Sequence, residues 1–225
     1  MSSTIHIFKV SHLLLKNYNY LVLDDYSRDA VLVDPAWKLN ILENAIERQQ
    51  ANLKAILVTH SHEDHVNLCG TLAKRWQVPV FMSRTEVDFY NFRCRGLTPL
   101  ESEAPFSCGT LQVVPYFTPG HTKGSACYQL DNFLFTGDTL FTEGCGICVG
   151  KGADAHAMYA SLERLKQDIS ADMLIYPGHS FGQPCGQTMA YLLENNLYLQ
   201  FETAEQFVAF RMRKGQSWTK WFSFQ

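Results

Sequence analysis

The chain has 225 residues, 46% of them hydrophobic and 18% charged, a composition typical of globular proteins. Its formal net charge of -3 gives no excess of basic residues to neutralise phosphates, so we expect neither nucleic acid nor an anionic membrane as a partner. No run in the sequence approaches the roughly 18 apolar residues of a membrane-spanning helix. From its first residues, MSSTIHIFKV, we do not expect a signal peptide.

The first half of the chain is rich in predicted strands. β-Branched and aromatic runs bounded by turn residues predict strands at 5–10, 20–23, 30–33 and 55–59. A helix is predicted to begin at Asn40, with Glu43 completing a capping box, and others to cover 66–76 and 83–92. Ser83 and Glu86 supply the capping signal of the last of these.

The second half repeats the pattern. Strands are predicted at 113–117, 125–130, 133–136 and 173–176, and helices at 155–169, 187–201 and 204–213. Asp154 and Thr203 are the expected caps of the first and last of these helices. Strands followed by helices, twice over, predict an α+β protein with two sheets packed together and helices outside.

We expect one domain over 1–225, because the sequence shows no linker, repeat or low-complexity run. Residues 202–225 are predicted to form a short helix and tail, which carry the aromatic residues Phe207, Phe210, Trp218, Trp221, Phe222 and Phe224. The tail is expected to be core packing, or alternatively a lid or carrier dock. The seven cysteines are expected to be free thiols in a reducing cytoplasm.

Residues 59–65 hold three histidines and an aspartate between a predicted strand and a predicted helix. His60 and His62 can project to one side and share one ion, while Asp64 and His65 lie just past the turn and can reach a second. Imidazole and carboxylate ligands suit zinc, with iron or manganese also possible. Such a cluster is costly to gather without a cation, because its protonated members would repel one another, and we therefore predict a metal site.

Three later segments have the same design, in which a strand runs into a loop with a potential ligand at its tip. The ligands are His121, Asp138 and His179, and each directly follows a glycine that would allow close backbone approach. Taken singly, such residues are usually turn or solvated loop residues. His6, His12 and His156 lie in such settings, and no metal role is assigned to them.

With these residues, the chain resembles the metallo-β-lactamase-fold hydrolases and, within them, the glyoxalase II branch. The H-x-H-x-D-H element matches at 60–65, and the P-G-H-T, G-D-T-L-F and P-G-H elements match at His121, Asp138 and His179. Further matches are N-Y-L-V at 19–22, V-D-P at 33–35 and G-C-G at 144–146. The resemblance implies an αββα sandwich of two mixed sheets with helices outside.

The resemblance also implies two zinc ions per chain. It assigns His60, His62 and His121 to metal 1, assigns Asp64, His65 and His179 to metal 2, and makes Asp138 the bridge. A water shared by two cations has its pKa lowered toward neutrality, so hydroxide becomes available to attack a carbonyl. In this scheme Asp64 and Asp138 also serve catalysis, since they help to position that hydroxide.

The substrate loop departs from glyoxalase II. Ile147 stands where that enzyme has a basic residue, Val149 stands where it has a tyrosine, and Lys151 offers a displaced cation. Ile147 and Lys151 are the candidate substrate-binding residues. The chain is similar along its length to the zinc-dependent hydrolases encoded with bacterial polyketide synthases of the bacillaene type. That similarity implies hydrolysis of acyl thioesters on acyl carrier proteins or other pantetheine carriers.

Several alternatives stay open at this point. The chain could be a hydroxyacylglutathione hydrolase, a mono-iron persulfide dioxygenase, or a lactonase or β-lactamase, because the fold does not fix the acyl substrate. A non-catalytic binding protein is the least favoured, because it would normally have lost ligands. Cys145 and Cys148 form a C-x-x-C pair, for which a loop role is favoured over redox chemistry or a zinc clip.

Overall fold

The computed structural model describes residues 2–12 and 15–213. Within these residues the strands form two sheets of six. The first contains β1 (Ser3–His12), β2 (Leu15–Asp24), β3 (Asp29–Val33), β4 (Asn52–Leu57), β5 (Val80–Ser83) and β6 (Leu97–Leu100). The second contains β7 (Phe106–Cys108), β8 (Leu111–Phe117), β9 (Ala126–Leu130), β10 (Phe133–Gly137), β11 (Leu174–Pro177) and β12 (Gln187–Thr188).

Both sheets are mixed. In the first, spatial order follows chain order; β1 to β3 pair antiparallel, and β3 to β6 pair parallel. The second has the order β12-β11-β10-β9-β8-β7, in which only β10 and β11 are a parallel pair. The helices are α1 (Leu39–Arg48), α2 (Glu63–Val66), α3 (Cys69–Trp76), α4 (Arg84–Tyr90), α5 (Ala155–Asp168), α6 (Met189–Asn195) and α7 (Ala204–Arg211), with a 3-10 turn at Leu197–Leu199.

Three apolar layers hold the sheets and helices together, because alternate side chains of a strand point to opposite faces. Along β2, Leu21 and Leu23 pack in a cluster with Leu42 of α1 and Leu72 of α3. Tyr20 and its alternate neighbours point instead into a cluster shared by both sheets. A third cluster joins the second sheet to α5, α6 and α7. The predicted αββα sandwich is therefore confirmed.

Most predicted strands and three predicted caps are confirmed. The side chains of Ser83, Asp154 and Thr203 accept hydrogen bonds from the first turns of α4, α5 and α7. The capping box at Asn40 is wrong. Helix α1 begins at Leu39 after Lys38, no side chain caps it, and Glu43 instead accepts a hydrogen bond from Arg75 at 2.6 Å.

The predicted helix 66–76 is interrupted near its start, because Val66 is the last residue of α2 and α3 begins at Cys69. The chain between α2 and α3 is held by the loop that follows β3: Leu68 N–H donates to Pro35 O at 3.3 Å, and Trp37 N–H donates to the Asn67 side chain at 2.9 Å. This break matters because it puts Asp64 and His65 on a separate one-turn helix rather than in a loop.

The predicted helix 187–201 is also divided. It starts as β12, which pairs with β11, continues as α6, and ends at Asn196. There the Asn196 amide donates to Phe141 O and Gly144 O, at 3.0 Å each, instead of facing solvent. Strands β5, β6 and β7, of three or four residues each, were not predicted.

The aromatic tail prediction for Trp218, Trp221, Phe222 and Phe224 lies outside the described residues. Phe207 is fully buried in the cluster that joins α7 to the second sheet, and Phe210 packs against that cluster. The helices of the described residues include none that is both long enough and apolar enough to cross a membrane.

Candidate metal centre

All seven predicted ligands lie at one end of the sandwich. His60 follows β4, His62 is the residue before α2, and Asp64 and His65 lie on that helix. The other three come from the second sheet: His121 lies between β8 and β9, and Asp138 and His179 follow the parallel strands β10 and β11. The site is therefore built across both sheets.

Three imidazoles converge on one point. His62 Nδ1 lies 3.0 Å from His60 Nε2 and 3.0 Å from His121 Nε2. In two of the rings the opposite nitrogen is engaged elsewhere, since His121 Nδ1 is 2.7 Å from Ile147 O and His60 Nδ1 is 3.0 Å from Thr59 Oγ1. An Nδ1–H that donates to a carbonyl leaves Nε2 with its lone pair free, which is the arrangement of a metal-ligating histidine.

A second group of donors lies next to the first. Asp64 Oδ2 is 3.3 Å from His179 Nε2 and 3.8 Å from His65 Nε2. Here too the far ring nitrogens are held in place, because His179 Nδ1 donates to Lys16 O at 2.8 Å and His65 Nδ1 donates to Asp34 at 2.9 Å. Lys16 lies on β2, so this contact joins the two sheets beside the site.

Asp138 lies between the two groups. Its Oδ1 is 3.5 Å from His65 Nε2, while its Oδ2 is 3.4 Å from His179 Nε2 and 3.6 Å from His121 Nε2. Three sets of donor atoms, each within 4.8 Å of one another, can be drawn from these side chains: His60, His62 and His121; His60, His65 and Asp138; Asp64, His65 and His179.

Two buried atoms of this cluster fit a bound cation. His65 Nε2 and Asp138 Oδ1 are buried and have no hydrogen-bond partner. A buried polar atom left without a partner is costly, and a metal ion would satisfy both at once. Imidazole nitrogens and carboxylate oxygens are ligands that suit zinc.

The two groups differ in their electrostatics. Burial lowers the pKa of His60 and of His62, and brings the pKa of His121 to about 4, so these rings are neutral ligands at pH 7. Burial also disfavours charge on His65, but the carboxylates of Asp64, Asp138 and Asp34 outweigh it and raise the His65 pKa to about 9. The group around Asp64 thus has the stronger attraction for positive charge.

The same balance acts on the carboxyl groups and on His179. Burial opposes ionisation of Asp64 and Asp138, but His65 and His179 outweigh it and hold both carboxyl pKa values well below their usual range. Burial opposes charge on His179 as well, and the two carboxylates raise its pKa well above its usual value. Both aspartates are therefore ionised and available as anionic ligands.

Two residues that orient the ligands were not predicted. Asp34 belongs to the V-D-P element that resembles the family, but the sequence assigned it no role. It accepts hydrogen bonds from Thr59 N, Thr59 Oγ1 and His65 Nδ1 at 2.7–2.9 Å. Asn17 Nδ2 donates at 3.0 Å to both the backbone and the carboxylate of Asp64. Nothing near Asn17 in the sequence signals this contact, because its partner is 47 positions away.

The glycines before the ligands do allow close approach, as predicted. A Cβ on Gly178 would lie 2.6 Å from Asp138 Oδ1 and 2.6 Å from His65 Cε1. Gly137 has a positive φ of 49°, and a Cβ there would lie 2.3 Å from Thr59 Oγ1. Any larger residue at either position would push the ligand loops apart.

The two candidate substrate residues lie on the loop that follows Asp138. The Ile147 side chain is half-buried, and its carbonyl is the acceptor for His121. Lys151 is exposed, its Nζ lies 5.1 Å from the centre of the Phe89 ring, and its carbonyl accepts a hydrogen bond from Tyr90 Oη at 2.6 Å. The structure thus ties Ile147 to the ligand cluster through the backbone and leaves the Lys151 ammonium exposed over the Phe89 ring.

All seven cysteines are free, as expected. Cys145 and Cys148 are buried in the same loop, and burial raises the pKa of the Cys148 thiol to about 11. A thiol with so high a pKa is a poor nucleophile and a poor metal ligand at neutral pH. These observations support the predicted loop role of the pair.

Residues 15–179 match the family described as the Metallo-beta-lactamase superfamily, and the chain belongs to that superfamily. It is 45% identical over 94% of both chains to a Bacillus velezensis protein named probable polyketide biosynthesis zinc-dependent hydrolase BaeB. A hydroxyacylglutathione hydrolase of Bartonella henselae is 34% identical over 73% of this chain and 63% of its own. The predicted resemblance and the predicted enzyme class, a hydrolase, are confirmed.

Among solved structures, ETHE1 from Myxococcus xanthus is similar in fold, with a TM-score of 0.83 and 25% identity. The similarity covers 96% of this chain and 94% of that one. It extends the agreement in fold well beyond the region matched by the family.

Proposed function

We propose that the protein is a binuclear zinc-dependent thioesterase that hydrolyses carrier-bound acyl intermediates of polyketide biosynthesis in the cytoplasm. The proposal of two metal ions rests on the pair of adjacent donor groups with Asp138 between them. Two buried atoms of these groups, His65 Nε2 and Asp138 Oδ1, have no hydrogen-bond partner. The substrate class is supported by the name of the Bacillus velezensis relative, which the chain matches over almost its whole length.

In this proposal His60, His62 and His121 would hold metal 1, Asp64, His65 and His179 would hold metal 2, and Asp138 would be shared between them. When bound, the two ions would lower the pKa of a shared water and polarise the acyl carbonyl. The chain's own part is to fix the donors. Ile147 O, Lys16 O and Asp34 orient the rings of His121, His179 and His65, and Asn17 orients Asp64.

The reaction needs little else from the protein if the substrate is a thioester. A thiolate leaves readily without a proton, whereas an amine does not. The roles proposed here give no residue the part of a dedicated acid, which suits a thioester better than an amide. The loop beside the site is apolar at Ile147 and Val149, and the Val149 side chain is 64% exposed. These two apolar side chains favour an acyl chain over the charged peptide of glutathione.

Metal analysis combined with a thioester panel tests this function. We expect about two zinc ions per chain and faster hydrolysis of acyl carrier protein thioesters than of glutathione or coenzyme A thioesters. Thiol release and metal content are measured on the same preparation. Fast turnover of lactoylglutathione alone would instead identify a hydroxyacylglutathione hydrolase. A single iron with oxygen consumption would identify a persulfide dioxygenase.

Lys151 is proposed to bind the phosphodiester of the pantetheine arm. Lys151→Ala should raise KM about fivefold for an acyl-pantetheine-phosphate substrate with kcat unchanged, because an exposed ionic contact is worth up to about 1 kcal/mol. A short thioester without phosphate, such as acyl-N-acetylcysteamine, should show no change. Lys74→Ala, which removes an exposed lysine on α3, is the matched control. Equal KM values for wild type and Lys151→Ala would contradict the assignment.

A further inference from the structure

Glu86 is a fully buried carboxylate in the first turn of α4. Burying a carboxylate is costly unless hydrogen bonds replace the water it loses. Here four donors do so, two to each oxygen. Oε1 accepts from Ser61 N at 2.8 Å and from Ser61 Oγ at 2.7 Å, and Oε2 accepts from Thr122 Oγ1 and Gly124 N at 2.9 Å each.

These donors belong to the two segments that carry the converging imidazoles. Ser61 stands between His60 and His62, and Thr122 directly follows His121. The segments are far apart in sequence and come from different sheets. Each oxygen of Glu86 therefore holds one of the two segments, and the side chain links them.

We propose that Glu86 is a positioning residue that sets the spacing between these two segments and thereby the affinity of the site formed by His60, His62 and His121 for its metal ion. The proposal rests on the binuclear centre proposed above. Glu86 itself would touch neither metal nor substrate.

The surroundings of Glu86 leave it little freedom. Ser83 Oγ accepts from Glu86 N at 3.1 Å and donates to Gly124 O at 2.5 Å. A Cβ on Gly124 would lie 2.2 Å from Glu86 N, so this glycine lets the loop after His121 pack directly on the start of α4. The backbone of Glu86 is thus packed directly against the loop after His121, in addition to the four hydrogen bonds that its carboxylate accepts.

The effect should be selective, because the other ligand group depends on different partners. His65 is oriented by Asp34, His179 by Lys16 O, and Asp64 by Asn17. None of the hydrogen bonds described for Glu86 reaches these three ligands. A residue that only stabilised the fold would affect both metal sites alike.

Glu86→Gln is a sharp probe of this role. Each oxygen of Glu86 accepts from a backbone N–H, Ser61 N on one side and Gly124 N on the other, and neither group can act as an acceptor. In either orientation of the amide, its NH2 group faces one of these two backbone N–H donors and cannot accept from it. One of the two segments therefore loses its hydrogen bond, while the volume of the side chain is kept.

The test measures zinc affinity, by competition with a chromophoric chelator, in two single-site backgrounds. His179→Ala leaves the His60, His62 and His121 group intact, and there Glu86→Gln should weaken zinc binding about 10- to 100-fold. His62→Ala leaves the Asp64, His65 and His179 group intact, and there the same change should alter affinity less than twofold. Glu43→Gln, at a carboxylate that is 8% exposed and pairs with Arg75, should alter neither.

Equal losses of affinity in the two backgrounds, or none in His179→Ala, would overturn the proposal. If Glu86→Gln does not fold, Ser61→Ala and Thr122→Val each remove one hydroxyl donor and should give smaller losses in the His179→Ala background alone. Failure of the proposed binuclear function would give a different result, because the wild-type chain itself would then bind fewer than two zinc ions.

Discussion

Replacing Asp138 with alanine should abolish hydrolysis and lower the metal content. Its two oxygens lie 3.4–3.6 Å from the Nε2 atoms of His65, His121 and His179, so the side chain faces both donor groups. In the proposed centre, its loss would take the shared anionic ligand from both groups, and two adjacent cations would repel each other at full strength. We expect kcat/KM to fall about 10³-fold or more, which corresponds to about 4 kcal/mol of transition-state stabilisation.

Metal content and thioester hydrolysis, measured on the same purified protein, check this prediction. Asp138→Asn keeps the volume but offers a single oxygen and no charge, so it should also lose bridging. Asp88→Ala is the control, because that carboxylate is 60% exposed and its pairing with Arg84 at 3.7 Å is worth little. Wild-type activity with two bound ions in Asp138→Ala would rule out the bridging role.

Asp34→Ala should weaken both the fold and the metal centre. Asp34 is 2% exposed and accepts from Thr59 N, Thr59 Oγ1 and His65 Nδ1. Removing the carboxylate leaves buried donors unpaired, which should lower the free energy of unfolding by about 2–4 kcal/mol. It also frees the ring of His65, so metal affinity should fall about 10- to 100-fold.

Urea unfolding and zinc titration separate these two effects. Asp29→Ala is the matched control, because Asp29 starts the strand that Asp34 follows and is also buried. It accepts from Asn52 Nδ2 and Thr110 N, which are remote from the ligands, so its loss should lower stability and spare zinc affinity. If Asp34→Ala behaved like this control, its role in orienting His65 would be wrong.

The candidate ligands could be picked out from the sequence because each combines a reactive side chain with a local pattern, and the structure brings all seven together. His121, Asp138 and His179 each follow a glycine at the end of a strand, and the 60–65 cluster is improbable without a cation. Asp34 and Glu86 lie in patterns that indicate other things, a V-D-P element and a helix cap, and Asn17 lies in no pattern of this kind. Each resembles an ordinary turn or helix residue, and their partners lie 25 to 47 positions away, so only the folded chain brings them together.

The periodicity of apolar residues predicted the layers of the fold correctly, but it did not predict where several helices and strands begin and end. Residues 66–76 have one continuous helical pattern, and their division depends on contacts of Asn67 and Leu68 with the distant loop at 35–37. Strands β5 to β7 are too short for alternation to be visible. They are fixed by pairing, β5 with the longer β4, β7 with the longer β8, and β6 with β5. Tertiary hydrogen bonds, absent from any local window, decided both cases.

The hydrogen bond that holds His121 ends on the carbonyl oxygen of Ile147 and not on its side chain. Every amino acid offers that same main-chain acceptor, so the side chain at 147 can be exchanged while the imidazole keeps its orientation. Under the proposed function, mutation at this position would change the acyl groups or carriers that are accepted without first displacing the His121 ring. In that scheme, substrate recognition lies on a loop whose backbone also holds a candidate metal ligand, so the substrate range would change over evolution while the donor cluster is inherited intact.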